Sequence, residues 1–171
     1  SDLYKPSSLW QKHLDVDFKF LNEAVKNNDQ EKFLYFLQNF GDWDNYLGIE
    51  NQNLIKSYSK NILLKKFLKN EIFLGQLQLW NYFNKNNLDY KRLNMPRFGN
   101  QNGAYLGENF VVIGSFFNEI YSQIINKYLN NNNNNIIVDL GGGYGKLAYY
   151  CLKNLKKNTF IDFDIPETLI L

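Results

Sequence analysis

The residues best suited to chemistry lie near the end of the chain, in a run of four glycines interrupted by one tyrosine. This run spans Gly141–Gly145, and the β-branched segment Ile136–Leu140 comes directly before it. A glycine has no Cβ, so the main chain at such a turn can pass close to a bound ligand. If a helix follows, its first N–H groups and the positive end of its dipole face the same place. The pattern therefore predicts a ligand-binding turn between a strand and a helix.

Two acidic residues accompany this turn. Asp139 lies two positions before Gly141, and Asp164 follows a second predicted strand. Asp164 comes after Gly145 at about the 20-residue offset expected of an acid that binds a ribose. A carboxylate at that position can accept hydrogen bonds from both ribose hydroxyls. We expect Asp164 to take this role, with Asp162 as the less favoured candidate.

The elements around the turn are predicted to form one β-α-β unit. Ile136–Leu140 and Thr159–Phe163 are the strands, Lys146–Leu152 is the helix between them, and Pro166 suits the first turn of a further helix. A run of asparagines at 130–135 precedes the unit as a polar loop. Parallel strands normally have neighbours and are covered on both faces. Since only two are predicted, and since the last residues are apolar, we expect this chain to be a fragment of a longer protein that binds its ligand poorly alone.

The residues before the asparagine run are predicted to be mainly helical. Apolar residues recur at helical spacing in the first 25 residues, and Asp29 is suited to cap a helix that ends at Gly41. Two further helices are predicted at 54–68 and 72–83, and Ser115 is the predicted cap of the clearest amphipathic helix. Their aromatic stripes indicate packing between helices, with a wall for a cofactor or acceptor as the alternative.

Residues 92–114 interrupt the helical pattern. Proline and glycine in this segment are typical of a loop, and a small hairpin is predicted around 107–109. We interpret Arg97, Asn100 and Tyr105 as parts of ordinary loop structure, with a lid over the bound ligand as the alternative.

Composition and charge exclude several functional classes. The 171 residues carry a net charge of +2, without the concentrated basic charge of a nucleic-acid binder. One cysteine, Cys151, and one histidine, His13, exclude an intrachain disulfide and a Cys/His zinc site. We expect Cys151 to pack in the core and His13 to lie at the surface or to cap a helix. No apolar run is long enough to span a membrane and no signal peptide begins the chain, so we expect a cytoplasmic protein without a metal.

The spacing of the glycines separates two classes of nucleotide-binding loop. The dinucleotide fingerprint Gly-x-Gly-x-x-Gly, started at Gly141, requires a glycine where Lys146 stands. The sequence from Asp139 to Gly145 reads Asp-x-Gly-x-Gly-x-Gly instead. This pattern resembles motif I of the class I S-adenosylmethionine-dependent methyltransferases. An NAD(P)-binding oxidoreductase is the alternative, disfavoured by Lys146 and Asp139.

A narrower resemblance is to a bacterial family of sugar O-methyltransferases. It is carried by residues 138–148, with the Gly-Gly-Gly-Tyr-Gly loop, and by residues 161–167, with an Asp-Ile-Pro-Glu turn that resembles the family's Asp-Leu-Pro-Glu. Gly99–Asn100, before the helix that begins near Ser115, matches a Gly-Asn element of the family, although Gln101 replaces the usual proline.

The resemblance implies an α/β fold, with a helical cap or substrate region over 1–114 and the N-terminal part of a Rossmann-like S-adenosylmethionine-binding domain over 115–171. It implies methyl transfer to an oxygen of a sugar or glycan precursor. The acidic residue of motif I lies near the methionine end of the cofactor in that family, the loop approaches its methionine and ribose, and the second acid holds the ribose. The implied cofactor-binding residues are Asp139, Gly141, Gly142, Gly143, Tyr144, Gly145 and Asp164.

Some roles stay open. Tyr144 can line the cofactor pocket or pack beneath the loop. No catalytic base is identified, because in this fold it comes from loops after later strands. A non-catalytic module whose aromatic helices bind a partner is the third functional hypothesis.

Overall fold

The computed structural model describes residues 8–42, 62–129, 134–154 and 158–169, which form a mixed α/β structure. The helices are α1 (Ser8–Val16), α2 (Lys19–Lys26), α3 (Gln30–Asn39), α4 (Ile62–Phe83), α5 (Ser115–Asn126), α6 (Lys146–Asn154) and α7 (Pro166–Leu169). The strands are β1 (Gly103–Leu106), β2 (Asn109–Val112), β3 (Ile136–Leu140) and β4 (Thr159–Phe163). Short 3-10 helices cover Phe40–Asp42 and Tyr90–Leu93.

The strands form two separate two-stranded sheets. β1 and β2 are antiparallel and make the predicted hairpin, with Leu106 opposite Asn109. β3 and β4 are parallel, with Ile136 opposite Thr159 and Asp139 opposite Asp162, and α6 lies between them in the chain. The predicted strand, helix and strand are therefore confirmed.

Strand β2 divides the apolar core into two clusters, because successive side chains of a strand point to opposite faces. Phe110 and Val112 belong to one cluster, and Val111 and Ile113 belong to the other. The first cluster also contains Phe18, Leu21, Phe36, Phe40, Met95 and Tyr150, and the second also contains Phe73, Trp80, Leu93, Phe116 and Ile120. Both clusters combine residues from before and after position 114, so the two predicted regions share their packing.

The long helix α4 differs from the sequence prediction of two helices. It runs without a break from Ile62 to Phe83, since the polar residues at 69–71 contain no glycine or proline that would end a helix. Residues 54–61 of the predicted first helix lie outside the described residues. Among the described residues, none of the helices combines the length and the apolar character that crossing a membrane requires.

The helix caps agree with the sequence only in part. Asp29 caps α3 as predicted, since its Oδ1 accepts a hydrogen bond of 3.1 Å from the N–H of Lys32. The prediction of Ser115 as the cap of α5 is wrong, because Gly114 takes that position with φ of 88°. Glycine adopts this left-handed conformation without the clash that a Cβ causes. Ser115 is instead fully buried, and its hydroxyl donates to Met95 Sδ at 3.8 Å.

One face of the parallel sheet is exposed within the part of the chain that the structure describes. The exposed apolar side chains are Ile136, Val138, Leu140, Ile161 and Phe163. A parallel sheet normally has both faces covered. This exposed face agrees with the expectation that β3 and β4 belong to a larger sheet. That expectation stays a prediction.

Candidate functional site

The glycine loop connects the carboxyl end of β3 to the first turn of α6. Gly141, Gly143 and Gly145 have φ values of 86°, 66° and 79°, in the left-handed region that side chains other than glycine rarely adopt. The N–H of Gly141 donates to the carbonyl of Phe163 at 2.7 Å, which fastens the start of the loop to the neighbouring strand. The three glycines at every second position of the motif are thus the left-handed residues of the loop.

The two sides of the loop have different surroundings. No described atom lies within 4 Å of the position where a Cβ would stand on Gly141 or Gly143. A Cβ on Gly142, in contrast, would lie 2.6 Å from Cγ of Asp162. A side chain on Gly142 would therefore displace the carboxylate of Asp162, whereas Gly141 and Gly143 leave open space next to the main chain.

Asp164 joins the end of β4 to this loop. Its Oδ2 accepts a hydrogen bond from the N–H of Gly143 at 2.6 Å, and its Oδ1 accepts one from the N–H of Ile165 at 2.6 Å. Each oxygen of a carboxylate has two lone pairs. Both oxygens therefore keep the capacity to accept a further donor, such as a hydroxyl group. The structure brings Asp164 and the glycine loop together, as the sequence predicts.

Asp139 and Asp162 are neighbours across the two strands. Burial and the carboxylates of Asp139 and Asp164 raise the pKa of Asp162. Because Asp162 lies against Gly142, it lies beneath the loop rather than at its open side, which explains why Asp164 is the better candidate for a ligand contact. Burial and the charge of Asp139 raise the pKa of Cys151 to about 11, and the thiol is fully buried, so its predicted place in the core is confirmed.

Tyr144 connects the loop with the N-terminal helices. Its ring centroid lies 5.5 Å from that of Phe40, and the Phe40 ring also packs on Phe98 at 5.7 Å. A Cβ on Gly99 would lie 2.7 Å from Cζ of Phe40, so this contact requires a glycine. Tyr144 thus packs against the helical region, and its two predicted roles, lining the cofactor pocket or packing beneath the loop, stay predictions.

Lys146 lies directly after the glycine loop, and its structural role was not predicted from the sequence. Its side chain is 9% exposed, and Nζ donates to the carbonyl of Ile113 at 2.7 Å. Burial lowers the pKa of its ammonium group to about 7. A Cβ on Gly114 would lie 3.1 Å from this nitrogen. The first residue of α6 is thereby bound to the segment that leads into α5. The sequence signal for this role is a lysine directly after a glycine loop.

Three side chains of α6 bind the segment at residues 93–94. The hydroxyl of Tyr150 donates to the carbonyl of Leu93 at 2.7 Å. The hydroxyl of Tyr149 and Nζ of Lys153 both donate to the carbonyl of Asn94, at 3.1 and 2.8 Å. Burial raises the pKa of Tyr149 and lowers that of Lys153. These contacts hold the helix that follows the loop in a defined position.

A buried polar cluster around Glu119 was also missed. The Glu119 side chain is fully buried, and its Oε2 accepts hydrogen bonds from Nε1 of Trp80 at 2.7 Å and from Nε2 of Gln123 at 2.6 Å. Its Oε1 forms an ion pair with Arg92. The cluster joins α4, α5 and the 3-10 helix at Tyr90–Leu93, so its role is structural. Residues far apart in the sequence supply it, which is why no local pattern indicated it.

The remaining sequence candidates do not converge on the loop. The Arg97 guanidinium lies 5.8 Å from the ring centroid of Phe110, and the Tyr105 ring packs on the same ring at 5.3 Å. Asn100 has a left-handed φ of 54° in the loop before β1. His13 belongs to α1, and its side chain lies outside what the structure describes.

A scan against protein-family models, a search of curated proteins and a search of solved structures each found no match.

Proposed function

We propose that this chain is the N-terminal, cofactor-binding part of a Rossmann-like O-methyltransferase that uses S-adenosylmethionine. The observation that supports it most is the open, left-handed loop at Gly141 and Gly143, next to the carboxylate of Asp164. In open α/β sheets, ligands bind beyond the carboxyl ends of the strands, where both features lie. A sugar or glycan acceptor, which the family resemblance alone implies, and a cytoplasmic location, which the sequence leads us to expect, are part of the proposal.

The residues around the loop fit the groups of S-adenosylmethionine. Bare main chain at Gly141 and Gly143 admits a ligand that a Cβ would obstruct. The remaining lone pairs of Asp164 suit the two hydroxyls of the cofactor's ribose. When bound, the cofactor supplies a methyl group on a positively charged sulfur, which an acceptor oxygen can attack.

The contribution of this chain to such a transfer is positioning, which accounts for a large part of the rate in reactions between two bound groups. Tyr144 packs the end of the loop against the helical region, and Lys146, directly after the loop, donates to the carbonyl of Ile113. Asp164 binds the middle of the loop by accepting the N–H of Gly143. A loop fixed at these points does not have to be ordered when the ligand binds.

The test is a thermodynamic cycle on the protein expressed from its complete reading frame. Asp164→Ala removes the carboxylate, and the 2′,3′-dideoxy analogue of S-adenosylhomocysteine removes the hydroxyls. A hydrogen bond to a charged group contributes about 1.5–3 kcal/mol, so we expect Asp164→Ala to weaken S-adenosylhomocysteine binding by roughly 10- to 150-fold. The same substitution changes the affinity of the dideoxy analogue far less. Asp15→Ala, on the exposed surface of α1, is the control.

The cycle separates a ribose contact from damage to the loop, since Asp164 also accepts the N–H of Gly143. Equal losses for both ligands mean that the substitution disorders the loop, and they contradict the ribose contact. Tighter binding of NAD than of S-adenosylhomocysteine supports an oxidoreductase instead. Binding of neither ligand supports the non-catalytic module.

A further inference from the structure

Asn102 is the one asparagine in the sequence that is directly followed by a glycine, Gly103. The main-chain nitrogen of the residue after an asparagine can attack the carbon of the side-chain amide, which closes a cyclic imide. A side chain on the following residue obstructs this attack, and glycine has none. Among the many asparagines of this chain, Asn102 is therefore the one whose neighbour favours the reaction.

The fold places the attacking nitrogen at the outer edge of the β1–β2 hairpin. The carbonyl of Asn102 accepts the N–H of Ile113 at 3.1 Å, and Gly103 lies opposite Val112. Because the main-chain hydrogen bonds of antiparallel strands join alternate residue pairs, the N–H of Gly103 points away from β2. Gly103 is exposed, and both Asn102 and Gly103 line a cavity of about 440 Å³ beside α4. Water can therefore reach the amide, and ammonia can leave it.

The side chain of Asn102 fastens two segments of the chain to each other. Its Nδ2 donates to the carbonyl of Gly41 at 2.7 Å, and the N–H of Gly41 donates to the carbonyl of Gly99 at 2.7 Å. A Cβ on Gly41 would lie 2.6 Å from the main-chain nitrogen of Gln101, so the two segments are in direct contact. An ionised aspartate in place of Asn102 has no hydrogen to donate, and its oxygen would face the carbonyl oxygen of Gly41.

This attachment lies next to an aromatic contact of the glycine loop. Phe40 directly precedes Gly41 in the chain, and its ring lies against both Gly99 and Tyr144. Tyr144 belongs to the glycine loop. A change at Asn102 that releases Gly41 therefore also acts on the ring that packs against the loop.

We propose that Asn102 is a site of spontaneous deamidation, and that its conversion releases Gly41 and weakens the packing of Phe40 on Tyr144. The nitrogen of Gly103 forms a bond to Cγ of Asn102 and loses its proton, and the amide nitrogen leaves with that proton as ammonia. Water then opens the imide at either carbonyl, which yields aspartate or isoaspartate. The reaction consumes water, releases ammonia and requires no other reactant, and it does not depend on what the loop binds.

The first experiment ages the folded protein in mildly alkaline buffer and measures aspartate and isoaspartate by mass spectrometry of tryptic peptides. The peptide 98–127 contains Asn102 together with four internal controls: Asn100, Asn109, Asn118 and Asn126. We expect conversion at Asn102 to be faster than at every control and to accelerate with pH, because the nitrogen of Gly103 has to lose its proton. The hydrogen bond to Gly41 should make it about fivefold slower than in the protein unfolded in urea. Asn102→Gln should stop the conversion, since its longer side chain cannot form the same ring.

The second experiment measures the consequence with Asn102→Asp, which reproduces one product. Asn87→Asp adds the same charge on the exposed turn after α4 and is the matched control. We expect the amide N–H of Gly41 to exchange with solvent roughly 5- to 150-fold faster in Asn102→Asp, because the carbonyl of Gly41 loses its donor and faces a charge. The NMR contacts between the rings of Phe40 and Tyr144 should weaken. The control should keep the values of the parent protein.

The proposal is overturned if the folded protein converts Asn102 no faster than the four other asparagines of the peptide. It is also overturned if Asn102→Asp leaves the exchange of Gly41 and the contacts of Tyr144 at the parent values. If Asn102→Asp does not fold, Asn102→Ala removes the donor without adding a charge, and the same two measurements decide.

Discussion

Lys146→Met tests how the first residue of α6 is held. In the folded protein burial lowers the pKa of Lys146 to about 7, from an ordinary value of 10.5. Between these two pH values the unfolded chain carries a proton on this lysine that the folded protein lacks. The free energy of unfolding must therefore rise with pH in this window. The stability gained at high pH is lost as the pH falls toward 7.

The size of this change in the free energy of unfolding follows from the difference of one bound proton between the unfolded and the folded protein. A difference of one bound proton changes the stability by about 1.4 kcal/mol per pH unit, which is roughly 3 kcal/mol between about pH 7.5 and 9.5. The methionine variant has no group that titrates there, so its pH dependence should be flatter by this amount. It should also be less stable by about 1 kcal/mol at high pH, because the carbonyl of Ile113 loses the hydrogen bond from Nζ.

Urea unfolding followed by circular dichroism at several pH values measures this effect. The quantity of interest is the difference in free energy of unfolding between the parent and Lys146→Met at each pH. Lys127→Met, on an exposed lysine just after α5, is the control and should follow the pH dependence of the parent. The reasoning is refuted if Lys146→Met and the parent depend on pH in parallel, since Lys146 then keeps its ordinary pKa in the folded protein.

Four further substitutions test the packing of the protein by urea unfolding. Gly142→Ala should lower the free energy of unfolding by about 1–3 kcal/mol, because the new Cβ meets the carboxylate of Asp162. Gly75→Ala, where no atom lies within 4 Å of the new Cβ, should instead stabilise α4 by up to about 1 kcal/mol. Equal effects of the two substitutions would contradict the close approach of Gly142 to Asp162. Glu119→Ala should lower the free energy of unfolding by about 3–5 kcal/mol, since it removes the carboxylate partner of the partly buried Arg92 and leaves the buried indole N–H of Trp80 without an acceptor; a loss under 1 kcal/mol would show that the cluster does not fix the helices. Tyr150→Phe should cost about 1 kcal/mol through the lost hydrogen bond to the carbonyl of Leu93, and an unchanged stability would mean that water replaces it.

The local features of the fold could be predicted from the sequence because each depends on neighbouring residues. Strands β3 and β4 follow from short β-branched runs, and the cap of α3 follows from the type of Asp29 alone. The loop conformation follows from its glycines, since Gly141 and Gly143 occupy left-handed positions that other residues avoid. The order of strand, loop, helix and strand therefore needed no tertiary information.

The features that were missed depend on contacts between distant parts of the chain. Lys146 reaches the carbonyl of Ile113, and Glu119 accepts from Trp80, which is 39 residues earlier. The cap of α5 was assigned to Ser115 from residue type, but the turn after β2 requires a left-handed residue, which Gly114 provides. The spacing of residues along the sequence does not show which distant residues come into contact in the folded protein.

A crystal structure of the protein bound to S-adenosylhomocysteine tests the proposed cofactor site most directly. We expect the ligand to lie against the main chain of Gly141 and Gly143, with at least one ribose hydroxyl within hydrogen-bond distance of a carboxylate oxygen of Asp164. A ligand bound elsewhere, or a ribose that makes no contact with Asp164, would contradict it.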